Sequence, residues 1–592
     1  MIEIYGVDTE GMEGVLIRFS AVLEANTQGI SMIGLVGGVV SEGCHRAVKA
    51  INTIDGNWSM SNFRITMQLS PSETQKHSAG LDLPIAITLL TGSLLMDKEK
   101  VDQCIEELQQ AAEQNAGKKK AKNNQTLMLR KSNQLSDHKS KIEKYRRKIA
   151  GDANKYCLIG TLDIATGNIE PPRYGMFGML SSISKDYTVI IPEQSDIHGA
   201  LVAKARGFTA YKASNLDEVW KIILGEAQPR TVNYNAVKSQ VKRKEVASYV
   251  PDLQAINGAA RAKEAMSIAV AGGHNILLVG PPGQGKSMLS SAATKMLPDL
   301  TSGEVFEINK IYSAKGLLQE NEVITSRPYI EVSHATTEAA LFGGGIHLLP
   351  GEISLAHRGV LLFDEINLFK KDIIENLRTP LEQRKSIIQR VAGRVEYPCS
   401  FIMIATMNPC KCGWFNHFQC PKCGIIVINK NQCEKCWSEL VHKCTCSKTA
   451  LKSYKDKLSN PLKDRIDLKV LLSSHDSGTR QKFDFSTSTV QKRIAVAREI
   501  QAERYKNANN IYCNADIKDD HQYQQYDSLD TDVKVYLNTI SRKLDITPRQ
   551  KMRLQLISRT VADFLQSKKV RKEDVHKAIF LMGLDNEYCR QL

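Results

Sequence analysis

Short apolar runs between polar turns open the chain. β-Branched stretches at Ile30–Val40 and Phe63–Leu69 predict strands, and the nearly continuous apolar run Leu83–Leu95 predicts a buried helix. Strand-like Tyr156–Ile164 and Tyr187–Pro192 follow, so residues 1–225 read as one α+β domain. The pattern breaks over 98–155, where large apolar residues are scarce and Gly117–Asn124 separates two charged helices, the mark of an insertion. Residues 226–251 are polar and basic, as in a linker. From 252 to 473 apolar strands alternate with helix-compatible segments, the pattern of an α/β core. Over 474–592 the apolar period is helical, at Val490–Tyr505, Leu529–Leu544, Pro548–Gln566 and Arg571–Leu581.

A chain of 592 residues exceeds what one hydrophobic core serves. No apolar run approaches the roughly 20 residues needed to cross a bilayer. Met1 leads into Ile2–Tyr5 without the basic start and apolar stretch of a secretory signal, so the expected compartment is the cytoplasm. The net charge of +15 suits a phosphate-rich partner. Its distribution tempers that inference: residues 98–155 hold 15 Lys and Arg against eight Asp and Glu, which fits a solvated insertion as well as a nucleic-acid contact. Eight of the 14 cysteines fall within Cys410–Cys446, and such clustering in a reducing compartment favours metal over disulfides.

The strongest chemistry lies at Gly280, Pro281, Pro282, Gly283, Gln284, Gly285, Lys286 and Ser287, between the apolar strand Ile276–Val279 and the helix-compatible Met288–Leu297. Glycines let backbone N–H groups face phosphates, Lys286 reaches the β- and γ-phosphates of ATP, and the Ser287 hydroxyl ligates magnesium. Downstream, the apolar run from Gly359 ends in Asp364, placed to hold the metal, and Glu365, placed to polarise the attacking water. A third strand, Phe401–Thr406, leads to Asn408, within reach of the γ-phosphate or its water. Arg465 in the run Asn460–Asp467 reads as an arginine finger acting across a subunit boundary, against the plainer alternative of a salt bridge. In Gln383–Tyr397, Arg384, Lys385, Arg390 and Arg394 alternate with apolar residues, as in a hairpin presenting cations to a pore.

With these motifs, Ala271–Asn275, Pro350–His357, Leu377–Glu382, Met407–Gly413 and Arg559–Asp563, the chain resembles the magnesium-chelatase-like AAA+ proteins, and within them the ComM/YifB group. The resemblance implies an AAA+ P-loop core, a C-terminal helical lid and a homo-hexamer with ATP sites between subunits. It further implies Asn408 as sensor 1, Arg465 as the finger, and Arg549 in Thr547–Gln550 as the sensor 2 contact to the γ-phosphate. The ComM branch implies helicase-type branch migration of DNA in homologous recombination or natural transformation. A chelatase-type ATPase remodelling a protein partner is the alternative.

The N-terminal domain resembles the Lon protease fold, a ribosomal S5 domain 2-like arrangement, with Ser78 where Lon carries its serine. Proteolysis also needs a lysine to activate that serine, and the corresponding segment supplies Met176. Within residues 410–446, Cys410, Cys412, Cys444 and Cys446 form two C-x-C pairs, and Cys420, Cys423, Cys433 and Cys436 two C-x-x-C pairs. Thiolates in such pairs suit tetrahedral zinc, so two structural zinc ions are expected, with His417 and His442 as possible substitutes for a cysteine.

Overall fold

The computed structural model of the protein describes residues 2–25, 29–54, 63–73, 76, 79–95, 141–244, 252–256, 259–390, 393–428, 437–442, 444–472, 486–508, 511–586 and 589–590. The chain divides into two compact units, Met1–Arg243 with Asn309–Val323, and Lys244–Ile308 with Ile324–Leu592.

In the first unit an eight-stranded mixed sheet runs in the order Arg230–Thr231, Thr209–Ala213, Thr188–Pro192, Lys155–Leu158, Glu3–Glu10, Glu13–Ala25, Phe63–Ser70 and Gly29–Ile33. The expected strand Ile30–Val40 divides. Gly29–Ile33 pairs in parallel with Phe63–Ser70, but Gly38–Ile51 is a helix. Val40, Cys44, Ala47 and Ile51 form one buried helical face, and that burial outweighs the strand preference of Val39 and Val40. Asp82–Leu95 is a helix buried along most of its length, anchored where Arg46 Nε and Nη2 donate to Asp82 at 2.8 and 3.0 Å.

Two expectations shift here. Of the insertion, residues 141–151 form a packed helix: Tyr145 and Ile149 are buried, and the Tyr145 hydroxyl donates to Glu226 Oε1 at 2.7 Å. Part of the expected linker, up to Arg243, belongs to this unit, with Arg230–Thr231 as an edge strand and Arg230 paired to Glu193 at 2.7 Å and Glu218 at 2.8 Å. Met176 begins the buried helix Met176–Ser181, while Ser78 lies outside the described residues. Among the described residues no helix is long and apolar enough to cross a membrane.

The second unit is organised by five parallel strands in the order Tyr329–Val332, Val360–Phe363, Ile402–Met407, Ile276–Val279 and Leu468–Leu471. Both faces are covered, as a parallel sheet requires, and alternate residues serve separate cores. Ile276, Leu278, Leu362 and Ile404 face one, shared with the helices Ala260–Gly272, Lys286–Met296 and the C-terminal helices. Leu277, Val279, Phe363 and Met403 face the other, against Ile373, Ile374 and Leu377.

The C-terminal periodicities appear as the helices Thr487–Arg504, Thr531–Lys543, Pro548–Phe564 and Lys572–Leu581, joined by the short helix Asp520–Tyr526. Val490, Ile494, Ala497 and Gln501 line one buried face of the first. Pro548–Phe564 starts in a reciprocal cap: Thr547 Oγ1 accepts from Gln550 N at 3.2 Å and Gln550 Oε1 from Thr547 N at 3.0 Å.

The amino ends of the central strands are stapled together. Asn275 N donates to Asp467 Oδ2 at 3.1 Å, and Asn275 Oδ1 accepts from Met403 N at 3.0 Å. Arg553, from the helix Pro548–Phe564, pairs with Asp467 Oδ1 at 3.2 Å, and His274 Nδ1 lies 3.6 Å from Asp467 Oδ2. Burial alone would raise the Asp467 carboxyl, but Arg553 and His274 overrule it and hold it at about 2.

Candidate nucleotide site and cysteine cluster

The carboxyl ends of the same strands gather most of the residues singled out for ATP chemistry. Ile276–Val279 feeds the loop Gly280–Gly285, where Gly283 and Gly285 take the left-handed φ values of 77° and 73° open to glycine. Gly280 is also sterically required, since a Cβ there would meet Leu472 Cβ at 2.9 Å. The helix Lys286–Met296 starts at Gly285 with no side-chain cap, so its first N–H groups are left for an anion.

One strand away, Asp364 and Glu365 follow Val360–Phe363. Thr406, on the strand between, donates its hydroxyl to Asp364 Oδ1 and accepts from Glu365 N at 2.9 Å. Ser287 Oγ lies 3.4 Å from Asp364 Oδ2, so the two proposed magnesium ligands meet. Glu365 adopts φ 50° and ψ 56°, a left-handed conformation costing about 1–2 kcal/mol in a non-glycine residue.

Asn408 joins the two halves. Its Oδ1 accepts from Lys286 Nζ at 2.9 Å, and its Nδ2 donates to Glu365 Oε1 at 2.9 Å. Lys286 Nζ also donates to Gly280 O at 2.7 Å and Pro281 O at 3.0 Å. Burial lowers the Lys286 pKa, and Asp364 and Glu365 only partly oppose this. Lys286 Nζ thus rests on carbonyls of its own loop, near a carboxylate pair of a kind able to hold a divalent cation and orient water.

Arg465 and Arg549 stand apart from this network. Arg465 is largely buried, donating through Nη2 to Glu382 Oε2 at 2.5 Å and through Nη1 to Pro461 O at 2.5 Å. Arg549 Nη2 lies 3.8 Å from Glu382 Oε1. Glu382 thus collects both arginines, and among the described residues neither contacts Lys286, Asp364, Glu365 or Asn408.

The cysteine cluster begins two residues after Asn408. Cys410, Cys412, Cys444 and Cys446 place their sulfurs within 4.8 Å of one another, with Sγ–Sγ distances of 3.2 Å (Cys410–Cys412), 3.7 Å (Cys410–Cys444) and 3.6 Å (Cys412–Cys444). Tetrahedral zinc with Zn–S near 2.3 Å implies sulfurs about 3.8 Å apart, so the donor set fits. The module abuts the nucleotide loop: a Cβ at Gly413 would lie 2.9 Å from Pro282 Cδ, and the Tyr454 hydroxyl donates to Asn408 O at 3.1 Å.

His417 is not poised as a ligand, because its Nδ1 faces Phe415 O at 2.9 Å and its Nε2 Leu472 O at 3.0 Å. Cys420 and Cys423 flank a turn between the strands His417–Gln419 and Ile426–Ile428, while Cys433, Cys436 and the His442 side chain lie outside what is described.

Sequence reasoning missed Thr406, Glu382 and Tyr454 as site residues. Thr406 carried one signal, its place at the end of a strand adjoining the acidic pair. Glu382 closed the motif Leu377–Glu382 without a role assigned to it, and Tyr454 carried no signal by spacing.

Three family models and several curated proteins match this chain in sequence. The family described as "Magnesium chelatase, subunit ChlI" matches residues 252–425 and 418–480, "Magnesium chelatase, subunit ChlI C-terminal" matches 484–581, and "Subunit ChlI of Mg-chelatase" matches 20–119. "Uncharacterized protein YifB" of Escherichia coli K12 is 27% identical over 94% of this chain and 92% of its own length. "Competence protein ComM" of Haemophilus influenzae is 26% identical over 97% of this chain and 96% of its own length. A "Magnesium-chelatase subunit ChlI homolog" of Methanocaldococcus jannaschii is 26% identical, but over 28% of this chain and 51% of its own length.

Proposed function

This chain belongs to the magnesium-chelatase-like ComM/YifB family of AAA+ ATPases, and on that premise we propose that it is a hexameric ATP-driven motor that moves branched or single-stranded DNA. The observation that carries the ATPase half is Asn408, hydrogen-bonded at once to Lys286 and to Glu365. Lys286 and the loop amides bind the β- and γ-phosphates, Ser287 and Asp364 hold magnesium, and Glu365 orients the attacking water while Asn408 positions it. Arg465 and Arg549, gathered on Glu382 away from their own chain's phosphate loop, serve a neighbouring subunit's ATP as finger and sensor. The C-terminal helices act as the lid.

Cys410, Cys412, Cys444 and Cys446 would hold a structural zinc, the four thiolates supplying all the ligands such a site takes. The first unit, in a Lon-like fold without the catalytic lysine, serves assembly or DNA engagement in the cytoplasm.

A competence protein similar along nearly the whole chain supports the DNA half. The family description favours a second reading, chelatase-type remodelling of a protein partner, yet the named chelatase subunit homolog is similar over only 28% of the chain. ATP turnover measured at fixed salt with no nucleic acid, single strands, duplex and four-way junctions tests the proposal. DNA stimulation and junction movement support a DNA motor. ATP turnover indifferent to every DNA form, with junctions left intact, overturns it.

A further inference from the structure

The hairpin read from the sequence exists as the antiparallel pair Lys385–Arg390 and Gly393–Pro398, and the four cations on and just before it are unequal. Arg384 is turned inward, donating to Phe401 O at 2.9 Å and lying 3.5 Å from Asp516. Lys385 and Arg394 share Glu396, at 3.1 and 2.9 Å. Arg390 is exposed and, among the described residues, has no carboxylate partner.

Its surroundings distinguish it further. The cross-strand register puts Arg390 on the face of Ser386 and Ile388, which packs on the loop 342–350. Ser386 Oγ donates to Phe342 O at 2.8 Å, the Tyr397 hydroxyl donates to Leu348 O at 2.9 Å, and Arg390 Nη2 lies 3.9 Å from where a Cβ on Gly344 would stand. In that loop Gly343–Gly344 pairs with Leu349–Pro350, and the turn between them carries Ile346, 88% exposed. A singly exposed apolar side chain is ordinary. This one stands on a turn anchored at its base, two residues along the chain from Gly344, beside which the Arg390 guanidinium lies.

We propose that Arg390 and Ile346 form a two-pronged grip for single-stranded DNA, the guanidinium on a phosphate and the isoleucine against a base or sugar face. The proposal rests on the DNA reading above and adds the residues that make the contact. Single-stranded DNA fits because it presents both features side by side, a regular line of phosphates and unpaired bases with apolar faces. The paired cations Lys385 and Arg394 would have to leave Glu396 to do the same.

Fluorescence anisotropy of a labelled single strand, in the presence of a slowly hydrolysed ATP analogue and across a salt series, tests the grip. Arg390→Gln is expected to weaken binding roughly tenfold and to reduce the slope of log affinity against log salt by about 0.7 for each copy touching a phosphate. Ile346→Ser is expected to weaken it by a similar factor with the salt slope unchanged. Arg394→Gln, whose guanidinium is held on Glu396 in competition with Lys385, is expected to stay within about twofold of wild type. Thermal midpoints near wild type certify that the surface variants fold.

Equal affinities for Arg390→Gln and Arg394→Gln, or an Ile346→Ser variant that binds like wild type, overturn the grip while leaving the DNA motor standing. Wild-type protein that binds no strand removes both. Variants that lose affinity only for an acidic unfolded polypeptide such as casein, and not for DNA, overturn the grip in favour of a protein substrate.

Discussion

At the carboxyl ends of the five parallel strands, the polar groups are few and partly open. Lys286 rests on carbonyls of its own loop, Ser287 is exposed, and Asn408 bridges Lys286 and Glu365. At the amino ends of the same strands, His274, Asn275 and Asp467 are buried, and with Arg553 they tie the sheet to the C-terminal helices. The first arrangement can exchange its partners for a ligand. The second can only be broken, so the proposed ligand chemistry falls at one end of the sheet and cohesion at the other.

Substitutions can break or sharpen that division. The largest effect is expected from Glu365→Gln, which should slow phosphate release on the order of 10²–10⁴-fold while ATP still binds. Unchanged turnover would place the base elsewhere. Asp467→Asn should cost about 3 kcal/mol in urea unfolding, because Arg553 loses a buried partner, with ATP affinity little altered. A folded Asp467→Asn protein as inactive as Glu365→Gln would erase the distinction.

The same carboxylate gives a pH signature. Its folded pKa of about 2 lies below the ordinary 3.8, so its stabilisation is complete above pH 3.8 and is lost as pH falls toward 2. Unfolding curves for Asp467→Asn should lose that share of the acid dependence.

Cys410→Ser should abolish zinc retention at its cluster, measured by metal analysis, and slow ATP turnover about tenfold through the main chain next to Asn408. Retained zinc with full turnover would detach the cluster from the site. The smallest change is expected from Thr406→Val, which leaves Asp364 and the Glu365 amide short of a partner. Turnover should fall several-fold, and stability by about 1–2 kcal/mol. A purely thermal effect would move Thr406 to the cohesive side.

What could be read in advance follows from the same contrast. The phosphate loop is a linear motif whose eight residues act in sequence, and the C-terminal helices repeat their apolar face every few residues, so both were legible. The stapled end was not. Asp467, His274 and Arg553 come from three distant segments and have no mutual spacing, and Glu382 gathers Arg465 and Arg549 only once the chain is folded. Ile30–Val40 misled for another reason: its β-branched composition pointed to a strand, whereas the buried face that makes Gly38–Ile51 a helix reaches its end at Ile51, beyond that window.

The left-handed backbone at Glu365 has a consequence for chain length. Asp364 is the first residue beyond the strand, and a single peptide later the chain must turn sharply enough for Glu365 N to meet Thr406 and its carboxylate to meet Asn408. One inserted glycine would relieve the contorted torsion, yet it would carry the carboxylate out of register with both partners. Spacing is therefore as much a part of this site as residue identity, and a homologue with an extra residue here would keep its acids and lose their alignment.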